Sequence, residues 1–355
     1  MRIISLNDIK GSEVLAKDIR NSSGNILIHA GTIIKKEYVP RLKKLKTEFV
    51  FIEDELSKGI ELSNSLEIKL KEELQDTLQD VLEKYINQSS NEVDRIVEIA
   101  NEVIENILKD INIVYSLNSI REKSENTYSH SLNVCILSVI LAINMDLDGS
   151  LVNDIAIGSL IHDVGYSYVN FDYLEGTLDE FNIAEKNEVM RHVIYGYEIV
   201  ERLNSISTIS KGIVLKHHER LDGSGYPFRL TAEKIEIESK IVAVCDEFDS
   251  MVYANLTNKM KVKDALDYMV SQADVKFDID VINALILSVA AYPTGALVLT
   301  NRGETGIVLR QNRKCPTRPV IRILRSEGVS VSEKWIEKDL TDDLTLFIEE
   351  IIIKA

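Results

Sequence analysis

Six histidines occur in this 355-residue chain, and five of them, His130, His162, His192, His217 and His218, fall between residues 130 and 218. Two are adjacent in KHHER, and one directly precedes a carboxylate in LIHDVG. A lone histidine is more often a core or surface residue than a ligand, but five gathered in about a quarter of a chain point to shared chemistry. Neutral imidazole together with carboxylate suits borderline divalent ions such as iron, manganese or zinc. The three cysteines, Cys135, Cys245 and Cys315, are too far apart for a CxxC zinc site or a disulfide framework. A site holding more than one metal ion is therefore expected. Asp163, beside His162, can bridge two ions held between helices. Asp246 lies in the apolar stretch KIVAVCDEFDSMV, where an unpaired carboxylate is costly to bury and a metal offsets that cost. Asp249, one turn later, reads as a helix-surface or helix-end polar residue. Glu219 reads either as orienting a neighbouring histidine or as pairing with Arg220 or Lys216.

The elements that must position these residues follow from hydrophobic spacing. Val152, Ile155, Leu160 and Ile161 mark a helix that is expected to end at Gly165, with His162 and Asp163 in its last turn. From about Asn126 to Ala290 the reading is mostly helical, with loops at Gly165 to Gly176 and Asp222 to Pro227. Between about Ser57 and Ile120 there is no proline, and apolar residues recur at helical spacing. Leu70, Leu74, Val81, Leu82 and Tyr85 form one stripe, and Val93, Ile96, Val97, Val103, Ile104, Ile107 and Leu108 form another. Packing on the chain's own core is expected of both helices. A homodimer seam is the lesser alternative, because no heptad is sustained. The first residues suggest short strands around a turn at Asn21 to Asn25, a helix near Glu37 to Leu45 and a strand at FVFIED, with His29 a partly buried strand residue. Beyond Tyr292 the runs GALVLTN, ETGIVLR and PVIRILR read as β-strands. The fold class is mainly α. Four modules are expected: a small N-terminal α/β-type accessory module over 1–56, a helical connector over 57–118, an all-helical site-bearing domain over 119–290 and a small β-rich module over 291–355.

Composition narrows the function classes. Lys and Arg total 41 against 57 Asp and Glu, a formal charge of −16, which argues against broad binding to a nucleic-acid polymer or an anionic membrane. An anionic ligand then needs a local source of positive charge, and bound metals supply one. No signal peptide is visible, and the apolar run from Val281 to Leu299 is interrupted by Asn283, Pro293 and Gly295, so no membrane span is expected. Few, scattered cysteines fit a reducing cytoplasm.

The segment HHERLDGSGYP at 217–227, taken with HSLNV at 130–134, HDVG at 162–165 and HVIYG at 192–196, resembles the HD-GYP family over about residues 119–290. That family is a subgroup of the HD-domain metal-dependent phosphohydrolases. The N- and C-terminal modules are similar to accessory pieces on some bacterial members. The resemblance implies an all-helical HD-type catalytic domain that hydrolyses the second messenger cyclic di-GMP. By resemblance, His130, His162, Asp163 and Asp246 look like the ligands common to HD domains. His192, His217 and His218 look like those added in the GYP subgroup, with Asp163 bridging two divalent transition metals, iron or manganese. Asp222, Gly223, Gly225, Tyr226 and Pro227 match the loop that supports the site. Some members place a glutamate four residues before the first histidine and hold a third ion; this chain has Asn126 there, so two ions are expected. The family's phosphate-facing lysine is here Tyr166, which with Asp163 is assigned to the reacting phosphate. Asn255 and Asn258 stand where basic residues hold the second phosphate, with Lys259 or Lys261 near enough to substitute.

Two ions lower the pKa of a bridging water so that hydroxide exists near neutral pH, and they neutralise the phosphodiester oxygens. The expected reaction is attack by that hydroxide on cyclic di-GMP with departure of the 3′ oxygen, giving pGpG and, after a second cut, GMP. Two other readings are a degenerate domain that binds the messenger or a protein partner without turnover, and a phosphohydrolase of another cyclic dinucleotide or nucleotide. Tyr166 and Asn255 favour the first of these, and the complete set of seven ligand candidates opposes it.

Overall fold

A computed structural model describes residues 1–20, 26–44, 47, 49–60, 68–87, 93–109, 127–169, 181–253, 260–312, 314–326, 329–330 and 335–352. The turn expected at 21–25 lies outside these residues. The chain forms two compact units. One joins Met1–Ser65 to Val289–Ala355, and the other joins Leu66–Ile113 to Glu125–Ser288. The expected N- and C-terminal modules therefore share a unit, and the helices read as a connector belong with the histidine-bearing region. Local periodicity delimits segments, whereas long-range packing decides which segments share a core.

In the first unit, strands β1 (Arg2–Ser5), β2 (Val14–Leu15), β3 (Ile19–Arg20), β4 (Ile26–Ile28) and β5 (Phe49–Glu53) accompany one short helix, α1 (Val39–Lys44). Antiparallel pairing gives the order β1-β5-β2 and a separate β3-β4 ribbon. Ile4, Leu15, Val50 and Ile52 point inward and close a small core with Leu6, Ile34 and Leu42. His29, just past β4, is exposed rather than partly buried, because the ribbon leaves Ile26 and Leu27 exposed as well. From the C-terminal part, β6 (Leu297–Thr300), β7 (Thr305–Arg310), β8 (Val320–Ser326), β9 (Val329–Ser330), β10 (Ile336–Asp339) and β11 (Ile348–Ile351) form an antiparallel sheet. Its order is β10-β8-β7-β6-β11, with β9 on β8. The sequence reading finds β6 to β8 and misses β10 and β11, whose IEKD and IEEI carry the charged residues typical of edge strands. Ile60 completes the sheet's apolar cluster with Leu297, Ile307, Leu309 and Val320. The Ile3 amide donates to the Gly295 carbonyl at 3.2 Å, and Arg322 donates to the Lys58 carbonyl at 2.8 Å.

The second unit is helical: α2 (Ile68–Asn87), α3 (Val93–Lys109), α4 (Thr127–Asn144), α5 (Gly149–Leu160), α6 (Ile183–Met190), α7 (His192–Glu201), α8 (Thr208–Lys216), α9 (Ile237–Tyr253), α10 (Val262–Ser271) and α11 (Ile279–Ser288). Of the expected stripes of α2 and α3, Leu74, Val81, Leu82, Ile96, Val103 and Ile107 are buried, whereas Leu108, near the end of α3, is 50% exposed; the side chains of Leu70 and Tyr85 lie outside the described ones. Helix α4 is buried on every side along Leu132 to Ala142, which makes it the central helix. Among the described residues, no helix is long and apolar enough to cross a membrane.

Helix α5 ends at Leu160, five residues before the expected stop at Gly165. The His162 Nδ1–H donates to the Ser159 carbonyl at 2.8 Å. A continuing helix would give that carbonyl to the Asp163 amide. The chain turns at Ile161 and enters a 3-10 segment, Val164–Tyr168. His162 and Asp163 therefore stand just past the helix end. Residues 170–180 of the loop that follows lie outside the described residues.

Gly165 lets this turn press against α7: a Cβ there would stand 1.9 Å from the His192 carbonyl oxygen and 2.4 Å from the Gly196 nitrogen. Neither neighbour is a flexible side-chain end. Gly165→Ala is expected to cost at least about 2 kcal/mol, whereas Gly149→Ala, which meets nothing within 4 Å, should be neutral or stabilising by up to about 1 kcal/mol. Urea unfolding of both variants checks this, and equal midpoints would show that the 165–192 approach is not fixed.

Candidate metal centre

Five structural pieces deliver the seven ligand candidates. His130 sits in the first turn of α4, and His162 and Asp163 in the turn after α5. His192 opens α7, His217 and His218 follow α8, and Asp246 lies within α9. His162, His192 and His217 are fully buried. Each donates its Nδ1–H to a backbone carbonyl three residues earlier: Ser159 at 2.8 Å, Val189 at 2.7 Å and Val214 at 3.0 Å. A carbonyl oxygen only accepts, so Nδ1 carries the proton and, in the neutral ring, Nε2 keeps a bare lone pair.

Those lone pairs converge. His192 Nε2 and His217 Nε2 are 3.4 Å apart, and His162 Nε2 and His218 Nε2 are buried without a hydrogen-bond partner. Asp163 divides the cluster between its two oxygens. Oδ1 lies 3.5 Å from His192 Nε2 and 3.6 Å from His217 Nε2. Oδ2 lies 3.3 Å from His162 Nε2 and 3.7 Å from His130 Nε2. Two donors bound to one ion at about 2.1 Å stand roughly 3.0–3.4 Å apart, close to these separations. Two groups have donor atoms mutually within 4.8 Å: Asp163, His192, His217 and His218, and His130, His162 and Asp163. Asp246 borders both, with Oδ1 3.1 Å from His130 Nε2 and Oδ2 3.6 Å from His218 Nδ1. The donor set and its orphaned nitrogens fit divalent metal ions.

The ionisation states agree. Burial opposes the charge of Asp163, yet the neighbouring His162, His217 and His192 hold its carboxyl well below the usual range. Burial likewise opposes the charge of Asp246, but its hydrogen bond with His130 and the charges of His218, His130 and His162 outweigh that and lower it. His130 is raised well above an ordinary histidine, because its bonds to Asp246 and Asp249 overcome burial. His162 is raised by Asp163 in the same way. Burial, aided by His217, pushes His192 down to about 4 and His218 well below its ordinary value. The carboxylates thus favour protons on His130 and His162 where cations would otherwise balance their charge.

Two residues have roles that the sequence reading did not assign. Asp249 is only 2% exposed and, far from lying on the surface, accepts the His130 Nδ1–H at 2.8 Å. The one signal for it in the sequence is its spacing, a turn beyond Asp246 on the buried face of α9. Glu219 neither orients a histidine nor pairs with Lys216 or Arg220. Lys216 pairs with Glu236, and Arg220 with Glu247 at 2.8 Å. Glu219 accepts the amides of Phe228 at 2.7 Å and Leu230 at 2.8 Å. It thereby grips the loop containing Asp222, Gly223, Gly225, Tyr226 and Pro227. Asp222 pairs with Thr231 across the loop mouth. A Cβ on Gly225 would stand 2.4 Å from the Arg220 nitrogen, so only glycine lets the loop close so tightly. Tyr226 then stacks on His218, ring centroids 4.7 Å apart. Tyr166 stacks on His192 at 4.0 Å and 7°. Asn126, Asn255, Asn258 and Lys259 lie outside the described residues. Lys261 precedes α10 as its cap.

Comparison with known proteins follows the same division of the chain. A family model described as HD domain matches residues 102–281, slightly over half of the 355. One described as KOW domain associated with HD domain matches residues 297–355. A cyclic di-GMP phosphodiesterase of Pseudomonas aeruginosa is 30% identical over 230 residues, 64% of this chain and 55% of that protein. A 3'3'-cGAMP-specific phosphodiesterase of Vibrio cholerae is 36% identical over 145 residues, 39% of this chain and 27% of that protein. The chain thus spans about half, or less, of the length of these relatives. Among solved structures, an HDG"Y"P protein from Bdellovibrio bacteriovorus shares the fold, with a TM-score of 0.54 at 16% identity over 80% of this chain and 97% of that one.

Two outcomes are expected of metal titrations. Loading the metal-free protein at pH 7 should release protons, because the raised His130 and His162 must deprotonate to become ligands. Calorimetry in buffers of different ionisation enthalpy measures this, and zero release would contradict the proton-balanced state. Asp249→Ala should weaken metal affinity about 10- to 100-fold, since it removes only the partner that orients His130. Asp163→Asn, which touches both groups, should cost at least one ion per chain by elemental analysis. Equal losses in the two variants would refute this division of roles.

Proposed function

This chain belongs to the HD domain family, and on that premise we propose that it is a metal-dependent phosphodiesterase. Its substrate is cyclic di-GMP, opened to pGpG and then cut to GMP. The observation that carries this reading is the division of Asp163, one oxygen facing His192 and His217 and the other facing His130 and His162. One ion would be held by His130, His162, Asp163 and Asp246, and a second by Asp163, His192, His217 and His218. Their nitrogen and oxygen donors suit iron or manganese. Bound there, such ions acidify water and neutralise phosphodiester oxygens.

The chain's own residues supply the rest. Carbonyl-locked tautomers keep the Nε2 lone pairs aimed inward, so no reorganisation is needed when an anion arrives. Buried apolar residues of α4 and α9, such as Leu132, Val134, Val244 and Phe248, lower the dielectric beside the cluster and strengthen charge interactions there. Tyr166, packed face to face on His192, carries a hydroxyl able to donate to a phosphate oxygen where a lysine was expected. Asn255, Asn258 and Lys259 stay assigned to the second phosphate. Three free cysteines suit a cytoplasmic location, which forms part of the reading. So does a homodimer, to be read from sedimentation.

A second substrate has support of its own, because the Vibrio cholerae relative is named for 3'3'-cGAMP. That molecule differs from cyclic di-GMP in one purine. The test incubates metal-loaded protein with each dinucleotide and resolves the products by chromatography. Linear pGpG from cyclic di-GMP is expected at the higher kcat/KM, and Asp163→Asn should abolish it. Tyr166→Phe, which keeps the ring stack but not the hydroxyl, should lower kcat by about tenfold or more at unchanged metal content. Preference for 3'3'-cGAMP would reassign the substrate. Full metal loading with no product from either would leave a binding domain without turnover.

A further inference from the structure

The GYP-type loop carries a strained residue at its tip. Among the described residues, three that are not glycine adopt positive φ: Asp146, Asp274 and Arg229, the last at φ 55°. Aspartate tolerates this region; a long cationic side chain does so rarely. Strain of this kind persists where the surroundings enforce it, and it gathers at ligand-binding positions. Here the enforcement is visible. Glu219, buried at 2% exposure, holds the amides on either side, Phe228 at 2.7 Å and Leu230 at 2.8 Å. The two grips leave residue 229 at the tip. Arg229 is exposed, Phe228 beside it is 57% exposed, and among the described residues nothing pairs with the guanidinium.

The tip is within chain reach of the histidine cluster. Tyr226 is stacked on His218, and three residues of chain span at most about 10 Å. A cyclic dinucleotide carries two phosphates. The metals would take the one being cut, and in a chain of net charge −16 the other needs a cation from elsewhere. Of the residues already assigned to the phosphates, Tyr166, Asn255 and Asn258 are uncharged and Lys259 is a point charge without a fork, so a bidentate cation is still wanting.

We propose that the Phe228–Arg229 tip grips the half of the substrate remote from the cleaved bond. Arg229 forks onto the second phosphate, as a planar guanidinium does bidentately, and the Phe228 ring lies against a base. The assignment rests on the reading of the site as a cyclic-dinucleotide phosphodiesterase.

The experiment uses the metal-loaded full chain. Its readouts are KM and kcat with cyclic di-GMP, the Kd of a phosphorothioate analogue of cyclic di-GMP, the metal content and the melting temperature. Arg229→Gly should raise KM and Kd about tenfold, with kcat within about twofold and metal content unchanged. Its melting temperature should hold or rise, because glycine adopts φ 55° without strain. Phe228→Ala should shift the same constants in the same direction, and Arg229→Lys should recover part of the loss. If KM and Kd stay within twofold of the parent in an active protein, the inference fails and the functional reading stands. If metal content or melting temperature falls along with affinity, Arg229 is structural and the inference also fails. A parent that binds without turnover still decides the matter through Kd. A parent that neither binds nor cleaves the dinucleotide overturns the functional reading, and the inference with it.

Discussion

Buried imidazole lone pairs that face one another are repulsive, and this cluster is built so that they must. Three histidines have their Nδ1 protons committed to carbonyls of their own chain, which leaves Nε2 pointing at its counterparts across gaps as short as 3.4 Å. In a dry interior such an arrangement holds only around positive charge. The surrounding helices are placed to meet that demand. Helix α4 is apolar along most of its length and lies at the centre of the unit, so polar groups on it find partners on neighbouring helices: Ser129 with Gln75 of α2, Cys135 with Ala156 of α5, His130 with Asp246 and Asp249 of α9, and Asn144 with Ser288 of α11. The turn after α5 forms because His162 takes the carbonyl that would otherwise extend the helix. Gly165 then allows that turn to come within van der Waals reach of α7.

Much of the centre was legible because it is written in residue types. Five clustered histidines, a His-Asp pair and a carboxylate in an apolar stretch cannot be placed in a helical core without something to neutralise them, and all seven candidates do converge. Roles that depend on tertiary closeness were not legible. Asp249 resembles any polar residue near a helix end until α9 is seen to turn it toward His130. Glu219 sits beside two histidines and a lysine, yet its oxygens serve amides nine and eleven residues ahead. Nothing in a spacing pattern distinguishes a carboxylate that binds a neighbour from one that binds a loop folded back over it.

The same contrast holds for the fold. Helical periodicity located α2 and α3 but could not say which core they complete, since an amphipathic stripe records that a face is covered and not by what. Strands β6 to β8 were readable as β-branched runs, while β10 and β11 were concealed by the charges that edge strands carry. The grouping of both chain ends in one unit has no local signature. It follows from pairings such as Ile3 with Gly295, which only a three-dimensional arrangement reveals.

That pairing bears on how the protein is made. The helical unit, Leu66–Ile113 with Glu125–Ser288, is complete in sequence once residue 288 has left the ribosome. The unit containing β1 cannot close until strands that begin at Leu297 have been synthesised. Ile60, whose apolar partners are Leu297, Ile307, Leu309 and Val320, waits until residue 320 has been made. A nascent chain therefore has the histidine-bearing unit in hand while the segment up to Ile60 still lacks most of its partners, an interval in which a chaperone can act on one half alone.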